Sequence, residues 1–184
     1  MQHDEIPGSV KFSFAIGLKP WQNEPEAYSL PIDGTIMVCR EDQKDPDALT
    51  AAGHIELTVI KVAEVTNEKM MLSDVFGDCG LDAVYSVLFD QTGLREDLEI
   101  DFIPGDIVYI RSVKLAPKYL RTRLFFQAVE ATIAAFASMG LVVAIKDTLD
   151  RGKREWTQMG FELIPGTDFV YRDNYSIHPN LKAY

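Results

Sequence analysis

Residues 107–139 read IVYIRSVKLAPKYLRTRLFFQAVEATIAAFASM, and this stretch decides the fold predicted for the rest of the chain. Residues 107–115 are rich in Ile, Val and Tyr, a composition typical of a strand that packs into a sheet. Pro117 has no amide hydrogen and favours extended geometry at Ala116, so we expect the strand to end there. The chain then has no Gly or Pro from Tyr119 until Gly140. This predicts a long helix of about five turns.

The predicted helix has a wide apolar stripe, which favours deep packing against a sheet. Its expected buried face consists of Leu124, Ala128, Ala131 and Ala135, flanked by Phe125, Val129 and Phe136.

A run of basic residues crosses the junction between this strand and this helix. Between residues 107 and 129 there are five basic residues and no acidic one, although the whole chain has 28 acidic and 18 basic residues. The five are Arg111, Lys114, Lys118, Arg121 and Arg123. Free amides and the dipole at a helix N-terminus favour an anion, so we predict that a negatively charged group binds there. The alternative is a solvated basic helix start whose charges pair with acids elsewhere.

Composition places the chain in the class of single globular domains, here residues 1–184. Hydrophobic residues make up 47% and charged residues 25% of 184, and the net charge of −10 argues against binding to nucleic acid. The N-terminal residues lack a secretory pattern and no apolar run approaches membrane-spanning length, so no membrane partner is expected. Cys39 and Cys79 are read as reduced thiols, and the expected location is cytoplasmic. A homodimer is compatible with these features.

The N-terminal third predicts strands, and the middle of the chain predicts helices. Strands are expected over residues 11–16, 35–40 and 54–64, with a loop over 17–33. Residues 67–89 have helical periodicity, with a break near Gly77 and Gly80. The expected buried face of this part is Leu72, Phe76, Cys79, Ala83 and Val87.

The helical segment, at about residues 67–103, is also strongly acidic. From residue 67 to 106 there are ten acidic and two basic residues, which is −8 of the total −10. Asp74, Asp78 and Asp82 recur every four residues, whereas an EF-hand needs acids at alternate positions, so a solvated acidic face is predicted.

The C-terminal part predicts alternating strands and helices. Residues 141–145 form a continuous apolar run, typical of a buried strand parallel to the strand before the long helix. A short helix over 151–159, strands over 161–164 and 169–172, and an irregular last dozen residues complete the prediction.

This order of elements resembles the GNAT superfamily of acyl-CoA N-acyltransferases. The residues that carry the resemblance are VKLAPKY at 113–119 and WTQMGF at 156–161. The resemblance implies an α/β (α+β) fold: a mixed, mostly antiparallel, twisted sheet with helices on both faces and a central parallel pair splayed at an acyl-CoA groove.

The resemblance also implies acetyl-CoA or another acyl-CoA as co-substrate. The splayed strand end, with Val113 and Leu115, would pair with pantetheine. The following loop would hold the pyrophosphate through Arg121, Thr122, Arg123, Leu124 and Phe125. Arg123 stands where the family usually has Gly, and Phe125 where it has a small residue, so this pyrophosphate loop is degenerate. Arg121 and Arg123 are instead able to grip phosphate bidentately.

Catalytic residues stay open in this prediction. Trp156 occupies the position of the Tyr that many members use as general acid, and an indole cannot give up a proton near neutral pH. Glu56 and Asp101 are candidate general bases, with structural carboxylates as the alternative. Cys79 has no nearby His, which disfavours it as a nucleophile. The three histidines, His3, His54 and His178, lack ligand spacing, so no metal is predicted.

Two functional classes follow from the resemblance. The first is an N-acyltransferase that moves an acyl group to an amine of a small molecule or peptide. The second is a non-catalytic GNAT-like domain that binds a ligand or partner through its acidic helix and an aromatic loop with Trp21 and Tyr28. We favour the first because the basic charge on the phosphate side survives. An unrelated anion-binding α/β protein is a third, weaker alternative.

Overall fold

The computed structural model describes residues 10–17, 24–39, 49–100, 103, 105–120, 122–137, 139–145 and 153–177. Its strands are β1 (Val10–Ile16), β2 (Ser29–Cys39), β3 (Leu49–Ile60), β4 (Phe89–Asp90), β5 (Gly93–Leu94), β6 (Ile107–Leu115), β7 (Leu141–Ile145), β8 (Glu162–Leu163) and β9 (Phe169–Asp173). Its α-helices are α1 (Val62–Asn67), α2 (Leu72–Asp78), α3 (Asp82–Leu88), α4 (Leu124–Phe136), α5 (Lys153–Gln158) and α6 (Asn174–Ile177). Short 3-10 turns lie at Pro25–Tyr28, Glu96–Leu98 and Pro117–Tyr119.

The fold is mixed α/β, with a mostly antiparallel sheet of seven strands in the order β1-β2-β3-β6-β7-β9-β8. The parallel neighbours are β6 and β7, paired from Ile107 opposite Leu141 to Ile110 opposite Ala144. Helix α4 connects them, so the predicted strand–helix–strand crossover is confirmed. Strands β4 and β5 form a separate two-stranded ribbon.

Helices cover both faces of the sheet. One hydrophobic cluster joins α4 and α5 to the face that carries Ile55, Ile110 and Val113. The other joins α1, α2 and α3 to the face that carries Ile107 and Tyr109. The sheet is therefore the central layer, and its two faces bury separate apolar cores. None of the described helices has the length and apolar character needed to cross a membrane.

Strand β6 contains a bulge directly after the end of its ladder with β7. Opposite β3, Ile110 pairs with Leu57 and Ser112 pairs with Glu56, so Arg111 is the extra residue. Ile110 and Val113 consequently face the same cluster although they are three residues apart. A bulge bends a strand and increases its twist. The direction of β6 therefore changes after Ile110, where its ladder with β7 ends.

The strand predictions need correction in the N-terminal third. Strand β2 begins at Ser29, inside the predicted loop over 17–33. Proline has no amide hydrogen to donate to a neighbouring strand. Pro31 is tolerated in β2 because the β1–β2 ladder ends at Ile32, so no N–H donor is required at position 31. The Pro31 carbonyl accepts from Gly17 N. Strand β3 is shifted towards the N-terminus of its predicted range, and residues 62–64 begin α1 instead.

The predicted break in the helical segment is confirmed, at Gly80 with φ +65°. The predicted buried face is partly wrong, because the break resets the helical phase after Gly80. Phe76 and Val87 are buried, whereas Ala83 is exposed and Val84 takes its place. The solvated acidic face is confirmed, since all three of Asp74, Asp78 and Asp82 are exposed.

The long helix is shorter than predicted, and its buried face differs from the predicted one. Helix α4 begins at Leu124, five residues after the expected start. Its buried residues are Leu124, Phe125, Ala128, Val129, Thr132 and Ile133. Ala135, predicted to be buried, is exposed. Residues 174–177 form the short helix α6, where an irregular chain was expected.

Candidate functional site

Beyond Ile110, no described strand pairs with the β7 side of β6. The ladder with β7 stops at Ile110, whereas β6 continues to Leu115. Among the described strands, only β3 pairs with residues 112–115. Strand edges without a partner offer amide hydrogens and carbonyls to an extended ligand.

Polar side chains of three adjacent strands meet beside this open edge. His54 Nε2 lies 3.6 Å from Asp33 Oδ1 and 3.6 Å from Glu56 Oε1. Lys114 Nζ lies 3.6 Å from the same Glu56 oxygen. Ile55 and Leu57 point into the cluster that contains α4, so the alternating His54 and Glu56 point to the opposite face. The group is therefore reachable from the face that α4 does not cover.

Glu56 is the carboxylate that lies next to both His54 and Lys114 in this polar group. The Ser112 hydroxyl opposite it is the largest cause of a lowered Glu56 pKa, and the charges of Lys114 and His54 lower it further. The buried Ser112 oxygen makes no hydrogen bond of standard geometry, so we attribute its effect to dipolar attraction. A carboxylate with a lowered pKa is a weak base, so Glu56 is better suited to orient His54 than to accept a proton.

His54 and Asp33 are site residues that the sequence prediction missed. If the Nε2 hydrogen points towards the two carboxylates, Nδ1 is left with a lone pair that can accept a proton. His54 alternates with Glu56 along a strand, a spacing that places both on one face. Asp33 belongs to another strand, and no local pattern links it to His54.

Thr122 explains the late start of α4. Its hydroxyl donates to Tyr119 O at 2.8 Å and accepts from Leu124 N at 3.2 Å, and its side chain is buried. This turn competes with helical geometry before Leu124, which is a common role of Thr. Arg123 then occupies the N-cap position without a side-chain hydrogen bond to the helix.

The described residues of the predicted cofactor site divide into core and surface. Val113, Leu124 and Phe125 are fully buried, and Leu115 is packed partly against the same cluster. Their side chains fill the core, so these positions can meet a ligand only through the backbone. Arg123 is exposed. Arg121 lies outside the described residues.

The basic run is only partly neutralised by neighbouring acids. Lys114 pairs with Glu56, and Lys118 Nζ lies 4.8 Å from the centre of the Tyr119 ring. Within the described ranges, Arg111 and Arg123 form no ion pair, and both are exposed. The alternative of internal pairing thus holds for Lys114 and not for these two arginines.

The remaining candidates of the sequence prediction are a core residue, a cysteine that follows α2, and residues outside the described ranges. Trp156 is 1% exposed and packs edge-on against Phe125 and Phe161, with ring centres 5.3 and 4.8 Å away. Cys79 Sγ contacts the Ser29 hydroxyl at 2.7 Å, and Cys39 is buried. The described residues contain no group of His, Cys, Asp and Glu suited to a metal ion. Four of the residues considered in the sequence analysis lie outside the described ranges, namely His3, Trp21, Asp101 and His178.

Three features of the described residues bear on function: the end of the β6–β7 ladder, the bulge at Arg111, and the absence of an ion pair at exposed Arg111 and Arg123 within the described ranges. No family model, curated protein or solved structure matches this chain.

Proposed function

We propose that this protein is a divergent GNAT-like N-acyltransferase that moves an acyl group from acetyl-CoA, or another acyl-CoA, to an amine of a small molecule or peptide. The observation that carries the proposal is the coincidence of the bulge at Arg111 with the end of the β6–β7 ladder. A divergence of the two strands beyond this point, which belongs to the proposal, would provide a groove with free backbone groups. Pantetheine carries two amides and an extended chain, so it suits pairing with such an edge.

The charges near the groove support a phosphate-bearing ligand. Arg111 follows Ile110, the last residue of β6 that pairs with β7. Arg123 is the N-cap of the 13-residue α4, whose first turn contains no acidic residue. The helix dipole and both guanidinium groups attract an anion. The Phe125 side chain points into the core, so its size does not obstruct the outer side of the loop.

The polar group of Asp33, His54 and Glu56, on the sheet face opposite α4, contains the proton acceptor expected for the amine. An acyl-CoA presents a thioester carbonyl, to which the amine nitrogen adds as the carbon–sulfur bond breaks and the thiolate leaves. In this proposal, His54 Nδ1 accepts the amine proton, and the carboxylates of Asp33 and Glu56, each 3.6 Å from Nε2, stabilise the positive charge that the ring gains. Since Trp156 is buried and its indole is not an acid, we assign protonation of the thiolate to solvent. Positioning of the two reactants supplies much of the rate.

The second candidate is a GNAT-like binding domain without catalysis. The burial of Trp156 favours it, because the position that often carries the general acid is here a core residue. The aromatic loop suggested as its contact surface has lost one member, since Tyr28 packs with α1, α2 and α3.

Thermal melting with acetyl-CoA tests ligand binding. Acetyl-CoA at 100 times its Kd stabilises the native state by about 2.7 kcal/mol, which is several degrees in a chain of this size. Replacing Arg121 and Arg123 together by Ala reduces the shift, whereas Lys11→Ala, an exposed cation on the face of β1 opposite Phe12 and Phe14, leaves it unchanged. An unmoved melting temperature at millimolar acetyl-CoA refutes the proposal.

Release of free CoA thiol in the presence of amines separates the two candidates. In an enzyme, His54→Gln keeps the acetyl-CoA melting shift and strongly reduces thiol release, because the proton acceptor is lost. A wild-type protein that binds acetyl-CoA without releasing thiol with any primary amine favours the binding domain.

A further inference from the structure

The two edges of the seven-stranded sheet differ in how they are protected from further strand pairing. Strand β8 at one edge has two residues, Glu162 and Leu163, and therefore offers little backbone to a partner. Strand β1 at the other edge has seven residues, and it pairs with β2 from Val10 to Ile16 without a register shift. It contains no Pro or Gly, and Lys11 is its one charged residue. Within the described ranges, no strand pairs with the outer side of β1.

One face of β1 is apolar and only partly covered. Its side chains pack against the core that contains α4, where the Phe14 ring lies edge-on to Phe136 with ring centres 5.0 Å apart. At the end of the strand, Ile16 is 48% exposed. The half-buried residues of this face are Val10, Phe12 and Phe14, and the exposed residues of the opposite face are Lys11, Ser13 and Ala15. A sheet edge with apolar side chains beside it is a site at which another strand can be added.

The sequence of β1, VKFSFAI, is complementary to a second copy of itself in antiparallel orientation. With Ser13 opposite Ser13 of the copy, all seven residues pair, and each Phe12 lies opposite Phe14 of the copy. Aromatic cross-strand pairs stabilise a sheet. This register keeps the apolar residues of both copies on one face, and it is the isologous arrangement of a two-fold dimer. A shift by one residue would place the Phe residues of the copy on the face of Lys11, so the match would be lost.

The charges on the polar face are also complementary in this register. Lys11 lies opposite Ala15 of the copy, and Ala15 pairs with Asp33 in the β1–β2 ladder. Two strand spacings, about 10 Å, therefore separate the Cα atoms of Lys11 and Asp33 of the copy, with only the methyl group of Ala15 between their side chains. The Asp33 side chain is 71% exposed, so its carboxylate is accessible to the ammonium group of Lys11.

We propose that two copies of this chain form a dimer through their β1 strands, with Ser13 on the two-fold axis, and that this pairing joins their seven-stranded sheets into one. A second copy fits better than an unrelated strand, because β1 matches its own reverse in both its aromatic and its charged positions. Asp33 then lies between two basic groups, His54 of its own chain and Lys11 of the copy. The dimer is independent of acyl transfer.

Sedimentation velocity of the full chain at about 150 mM salt tests the dimer. We expect the wild type to shift from monomer to dimer between about 1 and 100 μM, the affinity range of a small interface. Ser13→Glu places two carboxylates directly opposite each other at the axis, so it weakens the dimer about fivefold. The matched control is Thr35→Glu, the same charge change at an exposed residue one strand further from the axis, and it changes the Kd less than twofold.

A charge exchange tests the register. Lys11→Glu turns the attraction to Asp33 of the copy into a repulsion at both ends of the ladder, so it weakens the dimer about fivefold. Combining Lys11→Glu with Asp33→Lys restores opposite charges and returns the Kd to within twofold of the wild-type value.

Four outcomes overturn the proposal. They are a wild type that stays monomeric at about 200 μM, equal weakening by Ser13→Glu and Thr35→Glu, no recovery in the charge exchange, and a dimer that forms only after residues 1–9 are removed. The last outcome would show that residues 1–9 of the same chain occupy the outer side of β1. The acetyl-CoA melting shift reports on the basic run and the dimer on β1, so the two proposals fail separately.

Discussion

The two ends of the β6–β7 pair are built in opposite ways. The closed end consists of Asp106, the Gly140–Leu141 step and Asn174. There, Leu141 N donates to Asp106 O at 3.1 Å and Asn174 Nδ2 donates to Ala137 O at 2.7 Å. The open end consists of residues 111–115 of β6 and the start of α4, where the ladder with β7 has stopped. One pair of strands is thus fixed by hydrogen bonds at one end, whereas at the other end no described strand pairs with the β7 side of β6.

The largest expected effect concerns the core beneath the open end. Trp156 packs against Phe125, the second residue of α4, so Trp156→Ala leaves a cavity under the helix start. We expect a loss of about 4 kcal/mol in the free energy of unfolding, measured by urea denaturation. Trp156→Phe fills part of the space and should cost less than half of that. A loss under about 1 kcal/mol for the Ala variant would show that the open end does not depend on this core.

The next effect probes the tightness of the closed end. A Cβ atom at Gly140 would overlap the Asp106 carbonyl, so Gly140→Ala forces the two segments apart. We expect a loss of about 3 kcal/mol in the same urea experiment. The matched control is Gly77→Ala in α2, where the nearest atom is Asp82 Oδ1 at 3.4 Å. That change should stabilise the protein by up to about 1 kcal/mol, and equal effects at both glycines would contradict the comparison.

A smaller effect is expected from the turn that starts α4. Thr122→Ala removes the hydroxyl that caps Leu124 N and bonds Tyr119 O, which should cost about 1 kcal/mol. Thr122→Ser keeps the hydroxyl and should stay near the wild type in thermal melting. Should the Ser variant lose as much stability as the Ala variant, the hydroxyl is not the cause of the late helix start.

The smallest effect is a pH dependence at the open end. The Glu56 pKa is lowered in the folded protein from its usual 4.5. Its contribution to stability is therefore present above the usual value and is lost as the pH falls through the folded-state pKa. Between about pH 5 and pH 3, the melting temperature should fall less steeply for Glu56→Gln than for the wild type. Parallel curves for the two proteins would exclude this contribution.

The sequence predicted the elements whose pattern is local. Strand β7 is a continuous apolar run, and β6 ends before Pro117, so both have the predicted bounds. Helix α5 lies within its predicted range, and β8 and β9 lie on either side of the Pro165–Gly166 turn. In each case the apolar pattern and the Pro or Gly next to the element favour the same structure that the tertiary packing favours.

The misses arise where tertiary contacts override a local signal. Pro31 suggested a loop, and only the end of the β1 ladder at Ile32 makes it tolerable inside β2. The basic run was visible in the sequence, and the step of three between apolar Ile110 and Val113 was the one local sign of the bulge. By contrast, Tyr171 and Leu98 are 73 residues apart, and only the fold brings them together.

The connectivity of the sheet makes the chain divisible. Strands β1, β2 and β3 come from residues 10–60, strands β6 to β9 come from residues 107–173, and the β3–β6 ladder joins the two sets. The turn between β4 and β5, with exposed Gln91 and Thr92, lies between these sets in the chain. Two fragments separated at this turn would each retain a continuous part of the sheet. Co-expressed, they should reassemble through β3 and β6, which makes the protein a candidate for fragment complementation.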